Sequence, residues 1–229
     1  MAKLRYLGHS AFYLEGREIK ALIDPFLTGN SMAAAKQEDF NDINYIFITH
    51  GHRDHIGDAA AIAERCGSTI FTCNELAGWF ASLGLKTEGM HIGGRAAFPF
   101  GTVKLVPAWH GCPVQENGEL RYGGVACGFV IEIEGKKVYH AGDTGLTMEM
   151  KLLEDEKVEI ALLPIGGYYT MDLDDAVRAV GLIRPRLAIP MHYDTFPVIK
   201  ANPREFAEKV SRLRLAAAQT MAPGAEFAF

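Results

Sequence analysis

Short apolar runs alternate along the chain with polar turns and with segments whose apolar residues recur at helical spacing. The runs YIFIT, STIFTC and VEIALLP each have the length of one β-strand. The segment after Asn202 has Pro203 at its first position, which is typical of a helix that begins at a capped N-terminus. This alternation of strands and helices predicts an α/β fold.

The same pattern predicts individual elements. The segments LRYLGHSAFYLEG and REIKALIDP are expected to form a hairpin that turns near Glu15-Gly16. A helix is expected after INYIFITH and should stop at Gly67, and a second helix should have Asn74 as its N-cap. Further predicted elements are strands around 87–92 and 102–107, a hairpin turning at Glu134-Gly135, a helix near 147–154, a helix from Asp172 and the strand RLAIPMH.

Two segments of the chain resemble each other. YLGHSAFYLEGREIKALIDPFLTG and YGGVACGFVIEIEGKKVYHAGDTG share a Tyr-x-Gly start, apolar alternation, a Glu-Gly turn and a final Asp followed at short range by Thr-Gly. Asp24 and Asp143 therefore occupy equivalent places. The match suggests two related halves, each of which contributes a sheet.

Composition narrows the class of protein. A chain of 229 residues without a low-complexity linker favours one domain over residues 1–229. The net charge of -5 provides no basic surface for nucleic acid and disfavours anionic membranes. No leader-like segment and no apolar run of about 20 residues are present, so a cytoplasmic location is expected. The four cysteines lack a C-x-x-C pair, which predicts buried free thiols.

The stretch FITHGHRDHIGD places clustered histidines and acids directly after an apolar strand. In an α/β sheet, the loop at the carboxyl end of a strand is where ligands bind. His50 and His52 are two apart on an extended segment and can converge on one metal ion, while Asp54 and His55 can reach a second. A solvated polar loop is the alternative interpretation.

Three further residues of metal-binding type also end apolar strands. His110 follows VKLVPAW, Asp143 lies in YHAGDTG, and His192 follows LAIPM. Any one of them alone would be interpreted as a structural histidine or a turn-capping aspartate. Their common position favours one sheet edge shared with His50.

Together, these residues resemble the five-motif signature of the metallo-β-lactamase superfamily over about residues 4–192. The resemblance implies a four-layer αββα sandwich built from two related halves. It also implies two ligand sets with one bridging carboxylate: His50, His52 and His110 for one ion, Asp54, His55 and His192 for the other, and Asp143 for both. YLGHSAFYLEG, IDPFLTGN and GDTG are similar to a branch of small metal-dependent hydrolases related to L-ascorbate-6-phosphate lactonase.

A site of this kind implies hydrolysis by a hydroxide that bridges two divalent ions. Imidazole and carboxylate ligands make Zn²⁺ the first candidate for the bound ion, and Mn²⁺, Ni²⁺ and Fe²⁺ are alternatives. Asp54, or a group behind the ligands, is expected to return a proton to the leaving group. Asp54 and Asp143 are therefore the candidate catalytic residues.

The substrate is expected to be a small molecule, and the leading hypothesis is a lactone or a related ester. A phosphodiesterase for a cyclic nucleotide or a phospholipid-like ester is the alternative, which the scarcity of Arg and Lys beside the motifs disfavours. A redox protein or a non-hydrolytic metal-binding protein is a third. Redox relatives replace a histidine of the motif with an acid, whereas this chain has His52.

Outer residues are candidates for the substrate pocket. His9 in YLGHSAF, and Tyr168, Tyr169 and Thr170 in PIGGYYTMDLDD, are predicted to line it. The alternatives are a core histidine and tyrosines that pack on the surface. The polar segment GCPVQENGELRY is a candidate cover for the site, and the apolar C-terminal segment AAAQTMAPGAEFAF leaves a homo-oligomer open.

Overall fold

Two mixed sheets of seven strands each form the centre of the computed structural model, which describes residues 1–116 and 118–229. The first sheet has the order β16-β1-β2-β3-β4-β5-β6, with β1 Lys3–Gly8, β2 Ala11–Gly16, β3 Ile19–Ile23, β4 Tyr45–Phe47, β5 Thr69–Cys73, β6 Lys86–Met90 and β16 Glu226–Ala228. The second has the order β15-β14-β13-β12-β11-β8-β7, with β7 Arg95–Phe98, β8 Gly101–Pro107, β11 Cys127–Ile133, β12 Lys136–His140, β13 Ile160–Pro164, β14 Leu187–Met191 and β15 Ala217–Ala218. A separate hairpin joins β9 Pro113–Glu116 and β10 Glu119–Tyr122.

The helices cover the outer faces of the two sheets. They are α1 Arg53–Ile56, α2 Ala59–Cys66, α3 Asn74–Ser82, α4 Leu173–Ile183 and α5 Pro203–Arg212, with short 3₁₀ turns at Gln37–Asp39 and Met148–Glu154. Helices α2 and α3 pack on the first sheet, and α4 and α5 pack on the second. Between the sheets, the ring of Phe47 on β4 lies 5.3 Å from that of Phe129 on β11. The predicted αββα layering is therefore confirmed.

Each sheet repeats one plan of strand directions. Antiparallel pairs β1-β2 and β2-β3 lead into the parallel strands β3 to β6, and antiparallel pairs β8-β11 and β11-β12 lead into the parallel strands β12 to β15. The predicted relation between the halves is visible in this plan, because β3 and β12 are the corresponding strands. The strands β1, β3 and β4 of the first sheet, and β8, β12 and β14 of the second, direct their carboxyl ends to one edge, which we call the site edge.

Local sequence explains where several helices begin. Asp172 accepts the Asp175 amide at 2.8 Å, which satisfies one of the free N–H groups at the start of α4. Asn202 accepts the Arg204 amide at 3.1 Å, and Pro203 occupies the first position of α5. Gly67 ends α2 in the left-handed region at φ 67°. These three predictions are confirmed.

Other predicted elements need correction. LRYLGHSAFYLEG is two strands rather than one, because the chain turns at His9 and Ser10, and the next turn lies at residues 17–18. Asn74 is the first helical residue of α3 and Cys73 precedes it as the N-cap. The polar segment after His110 contains the β9-β10 hairpin; Asn117 within it lies outside the described residues. Strand β7 has only four residues, too few to give a clear alternating pattern.

Among the described residues, no helix combines the length and the apolar character that crossing a lipid bilayer requires.

Candidate metal centre

Three histidines from two loops of the site edge form the first donor group. His50 and His52 follow β4, and His110 follows β8. His50 Nε2 lies 2.9 Å from His52 Nδ1, and His110 Nε2 lies 3.2 Å from the same atom. The structure thus brings together one nitrogen from each ring. We call these residues the three-histidine group.

A second donor group lies beside the first and draws on more of the chain. His55 and Asp54 come from α1, His192 follows β14, and His9 follows β1. One potential ligand atom of each residue lies within 4.8 Å of the others. We call these residues the mixed group; its members His55, His192 and His9 are all buried.

Asp143 stands between the two groups. Its Oδ1 lies 3.2 Å from His55 Nε2, and its Oδ2 lies 3.0 Å from His192 Nε2. The Oδ2 atom is also 3.6 Å from His110 Nε2 of the three-histidine group. A close approach makes this placement possible: a Cβ on Gly142 would lie 2.8 Å from Thr49 Cβ, so only glycine lets the Asp143 turn pack against the loop that carries His50.

The polar atoms of the centre fit a metal ion better than they fit one another. Among the described residues, His55 Nε2, His192 Nε2 and Asp143 Oδ1 are buried and have no hydrogen-bond partner. An orphaned buried polar atom costs about 1–3 kcal/mol, so several at one place fit the binding of a cation. Imidazole nitrogen and carboxylate oxygen are ligands for divalent transition metals, and the sequence prediction of such a centre agrees with this geometry.

The protonation states favour metal binding at the three-histidine group. Burial lowers the pKa of His50 well below its ordinary value, and it also lowers the pKa of His52 and of His110. Neutral imidazoles result at neutral pH, which is the form that binds metals. At His55 burial also opposes the charged form, but the carboxylates of Asp143 and Asp24 outweigh it and raise the pKa.

Asp24 holds one histidine of the mixed group in place. Its Oδ2 lies 2.7 Å from His55 Nδ1, and it accepts the Thr49 hydroxyl at 2.7 Å and, through Oδ1, the Thr49 amide at 2.9 Å. A proton on His55 Nδ1 leaves the Nε2 lone pair for a metal, so this contact selects the useful tautomer. The Thr49 hydroxyl also lies 3.0 Å from His50 Nδ1, so one carboxylate supports both groups.

His9 lies behind Asp54. Its Nε2 is 3.3 Å from Asp54 Oδ2, and its Nδ1 is 2.9 Å from Thr195 Oγ1. Burial lowers the His9 pKa to about 4, so the ring is neutral near pH 7. At Asp54 burial would raise the pKa, but the hydrogen bond to His9 and the charge of His55 hold it below its usual range.

The turns that carry the site are strained. His9, Asp24 and His192 have φ values of 58°, 44° and 55°, in the left-handed region that costs a non-glycine residue about 1–2 kcal/mol. The His192 amide donates to the His9 carbonyl at 2.8 Å, which ties two of these turns together. Such strain concentrates at functional sites.

Comparison with known proteins agrees with this centre. A family model for the beta-lactamase superfamily domain matches residues 20–193. A UPF0173 metal-dependent hydrolase of Alkaliphilus metalliredigens is 53% identical over 208 residues, which are 91% of this chain and 92% of that protein. One from Carboxydothermus hydrogenoformans is 48% identical over 215 residues, 93% and 94% of the two chains. The structure of Igni18, a metallo hydrolase from the archaeon Ignicoccus hospitalis, matches with a TM-score of 0.91 and 40% identity over 100% of this chain and 99% of that one.

The chain belongs to the metallo-β-lactamase superfamily. The relatives that share about half of its residues over nine tenths of its length are named metal-dependent hydrolases. This superfamily member is therefore a metal-dependent hydrolase, as the sequence motifs predict.

A cavity of about 780 Å³ opens onto the centre of the superfamily hydrolase. Its wall includes His52, His110, Asp54, Asp143 and His192, and Arg53, Tyr169 and several apolar residues complete it. We call it the active-site cavity. The candidate ligands that line it can therefore meet a substrate directly.

Of the four predicted pocket residues, one lines this cavity. Tyr169 is in its wall. Tyr168 is 77% exposed, and the Thr170 hydroxyl contacts the Met171 carbonyl; neither is among the lining residues. His9 is fully buried behind Asp54 rather than in the wall.

Sequence reasoning missed several residues of this hydrolase. Asp24 was recognised only as the counterpart of Asp143, although that repeat was the signal that could have identified it. Arg53, Phe26 and Phe196 line the cavity and were not predicted as pocket residues, although Arg53 lies in FITHGHRDHIGD and Phe26 in IDPFLTGN. Phe196 reaches it from the loop after β14, a contact that depends on tertiary folding.

Proposed function

We propose that this metal-dependent hydrolase holds two divalent ions and cleaves a lactone or ester of a small molecule. The observation that supports the proposal most is the position of Asp143, whose two oxygens face different histidines and lie between the two donor groups. Ions bound there would polarise the substrate carbonyl and lower the pKa of a water molecule.

The reaction is the addition of water across an acyl C–O bond. The water oxygen bonds to the acyl carbon, the acyl C–O bond breaks, and a proton goes to the leaving oxygen. Asp54 lines the cavity, contacts His9 and is ionised because of its lowered pKa, so we assign Asp54 the transfer of that proton from the attacking water to the leaving oxygen. His9, held by Thr195, keeps the carboxylate oriented toward the cavity.

The cavity suits a small organic substrate better than a polymer. Its volume of about 780 Å³ is in the range of small-molecule sites. Phe26, Phe196, Val198 and Tyr169 make part of its wall apolar, which suits the carbon skeleton of such a substrate.

The test is a substrate screen with protein loaded in turn with zinc, manganese and nickel. A panel of γ- and δ-lactones and aryl esters is compared with bis(p-nitrophenyl) phosphate. We expect turnover of lactones or esters that disappears on chelation and returns on reloading. Activity on the phosphodiester alone would replace this proposal with the phosphodiesterase alternative.

A further inference from the structure

A second cavity adjoins the active-site cavity. It measures about 680 Å³ and includes Thr28, Asp58, Trp79 and Gln115 in its wall. We call it the side cavity. Phe26 and Arg53 line both cavities, so these two side chains form the boundary between them.

Arg53 is the cationic side chain at this boundary. Among the described residues that line the two cavities it is the one arginine, and no lysine lies with it. Its backbone lies between His52 and Asp54 at the start of α1, and its side chain, although exposed, forms part of the wall of both cavities.

The guanidinium of Arg53 has no ion-pair partner within the described part of the chain, whereas five other arginines, Arg95 and Arg186 among them, pair with an acid. The nearby acids have other partners. Asp58 accepts the amides of Leu27 and Thr28 at 3.1 and 2.8 Å, and Asp54 faces His9. Within the described residues, the five N–H donors of Arg53 are therefore free to bind a ligand.

Apolar side chains form much of the rest of the wall of the active-site cavity. Phe26 and Phe196 are nearly parallel, with ring centroids 6.4 Å apart, and Val198 and Pro197 extend the same surface. A wall that combines a guanidinium without an ion-pair partner and several apolar side chains selects an amphipathic molecule. A planar, bidentate donor such as arginine matches a carboxylate or a phosphate.

We propose that the substrate of this site is an ester or lactone with an apolar body and one anionic group, remote from the reacting bond, that Arg53 binds. The proposal rests on the proposed hydrolase function and adds its substrate class. Arg53 is a specificity-determining residue in this account, because its interaction distinguishes anionic substrates from neutral ones of the same shape. The anionic group is a carboxylate or a phosphoryl group.

The test compares matched p-nitrophenyl esters on metal-loaded wild-type protein. Monoesters of succinate, glutarate and adipate are paired with neutral acyl esters of equal length, and 4-phosphonobutyrate provides the phosphoryl form. We expect kcat/KM for the best carboxylate or phosphonate ester to exceed that of its neutral partner roughly tenfold, the value of one charge-assisted contact.

Arg53→Met keeps the length of the side chain and removes its charge. The ratio of anionic to neutral kcat/KM should fall to about one in this variant, and Arg53→Lys should recover part of it. Arg212→Met at the end of α5 is the matched control, because Arg212 is exposed and also has no ion-pair partner in the described chain; it should keep the wild-type ratio. Because both esters are measured on the same preparation of each variant, a change in metal content cancels in the ratio.

A preference for anionic esters that persists in Arg53→Met would overturn the proposal, and so would a wild-type ratio of one. If no ester is cleaved, the proposed function fails, and calorimetric binding decides the role of Arg53 separately. Metal-loaded protein should then bind 4-phenylbutyrate more tightly than neutral 4-phenylbutanamide, and Arg53→Met should lose that difference. Equal affinities in the wild type would reject the assignment.

Discussion

Asp24 and Asp143 occupy the same place in the two halves of the molecule and have different surroundings. Each follows the strand that ends the antiparallel part of its sheet, β3 in one half and β12 in the other. Asp24 is fully buried, and its oxygens are engaged by Thr49 and His55. Asp143 lies against the Nε2 atoms of His55 and His192, and its Oδ1 has no hydrogen-bond partner among the described residues.

The difference shows how a repeated architecture supports one asymmetric centre. Both halves deliver a carboxylate to the site edge, but the Thr49 amide and hydroxyl face only Asp24. A carboxylate with saturated acceptors orients a histidine, whereas one with a free oxygen is available as a ligand. Thr49, rather than the position of either aspartate along its strand, decides the two roles.

Asp143→Asn should have the largest effect. The amide retains the shape of the side chain but removes the charge shared by the two donor groups, so we expect metal content to fall at both groups and activity to drop by at least about a hundredfold. Metal analysis by mass spectrometry, with thermal unfolding as the check on folding, measures this. Full metal content in a folded Asp143→Asn protein would show that the bridging role is wrong.

Asp24→Asn should separate the two groups. Asparagine cannot accept all three contacts of Asp24, so His55 loses its fixed tautomer while the three-histidine group keeps its nitrogens. We expect one ion to bind about 10–100-fold more weakly and the free energy of unfolding to fall by about 1–3 kcal/mol. Zinc titration of the metal-free protein gives the two affinities, and equal weakening of both ions would contradict the comparison.

The same comparison applies to His9, which supports Asp54 through a side-chain contact. His9→Leu removes the contact with Asp54 Oδ2, whereas His9→Gln offers an amide donor in a similar place. We expect metal affinity at the mixed group to decrease about tenfold in the leucine variant and to recover partly in the glutamine variant. The absorption spectrum of the Co²⁺-loaded variants reports the change in ligand geometry. Identical spectra for the leucine variant and the wild type would assign His9 to the core alone.

Glu156 is a buried carboxylate that lies outside the metal centre and pairs with basic side chains. Burial would raise its pKa, but Lys104 and Lys137 at 2.7 and 2.8 Å, together with Arg95, lower it from 4.5 to about 2. Because the folded pKa is lower than the unfolded one, the ion cluster stabilises the fold above about pH 4.5 and loses that contribution as the pH falls toward 2.

Glu156→Gln should therefore lower the free energy of unfolding near pH 7 by about 1–2 kcal/mol, less than full burial would give because the cations are partly exposed. The difference from the wild type should shrink as the pH falls from 4.5 to 2. Urea unfolding at several pH values measures it, and metal content should not change. A pH-independent difference would mean that packing, rather than charge, stabilises this cluster.

Much of the fold could be predicted because its signals are local. Apolar runs identified β4, β5 and β13, and Asp172 and Asn202 identified the starts of α4 and α5, since caps depend on adjacent residues. The break between β1 and β2 was missed because it depends on the positive φ of His9, and the short interruption Gly8-His9-Ser10 lies between two apolar runs that resemble one strand. The position of His9 behind Asp54 depends on pairing across 45 residues, which spacing along the chain does not encode.

The candidate ligands could be predicted because a cluster of metal-binding residues at strand ends is rare by chance. Their supports could not, since Thr49 and Thr195 are common residue types whose roles come from one hydrogen bond each. Arg53 lies inside the motif itself, yet only the shape of the two cavities shows that its side chain reaches both.

We propose that two groups of donors hold two ions through one shared aspartate. Titration of metal-free wild-type protein and of Asp143→Asn with zinc, followed by calorimetry and elemental analysis, is the decisive test of this proposal. We expect saturation at about two equivalents in the wild type and weakened binding of both ions in the variant. Saturation of the wild type at one equivalent, or two tight sites that survive in Asp143→Asn, would contradict it.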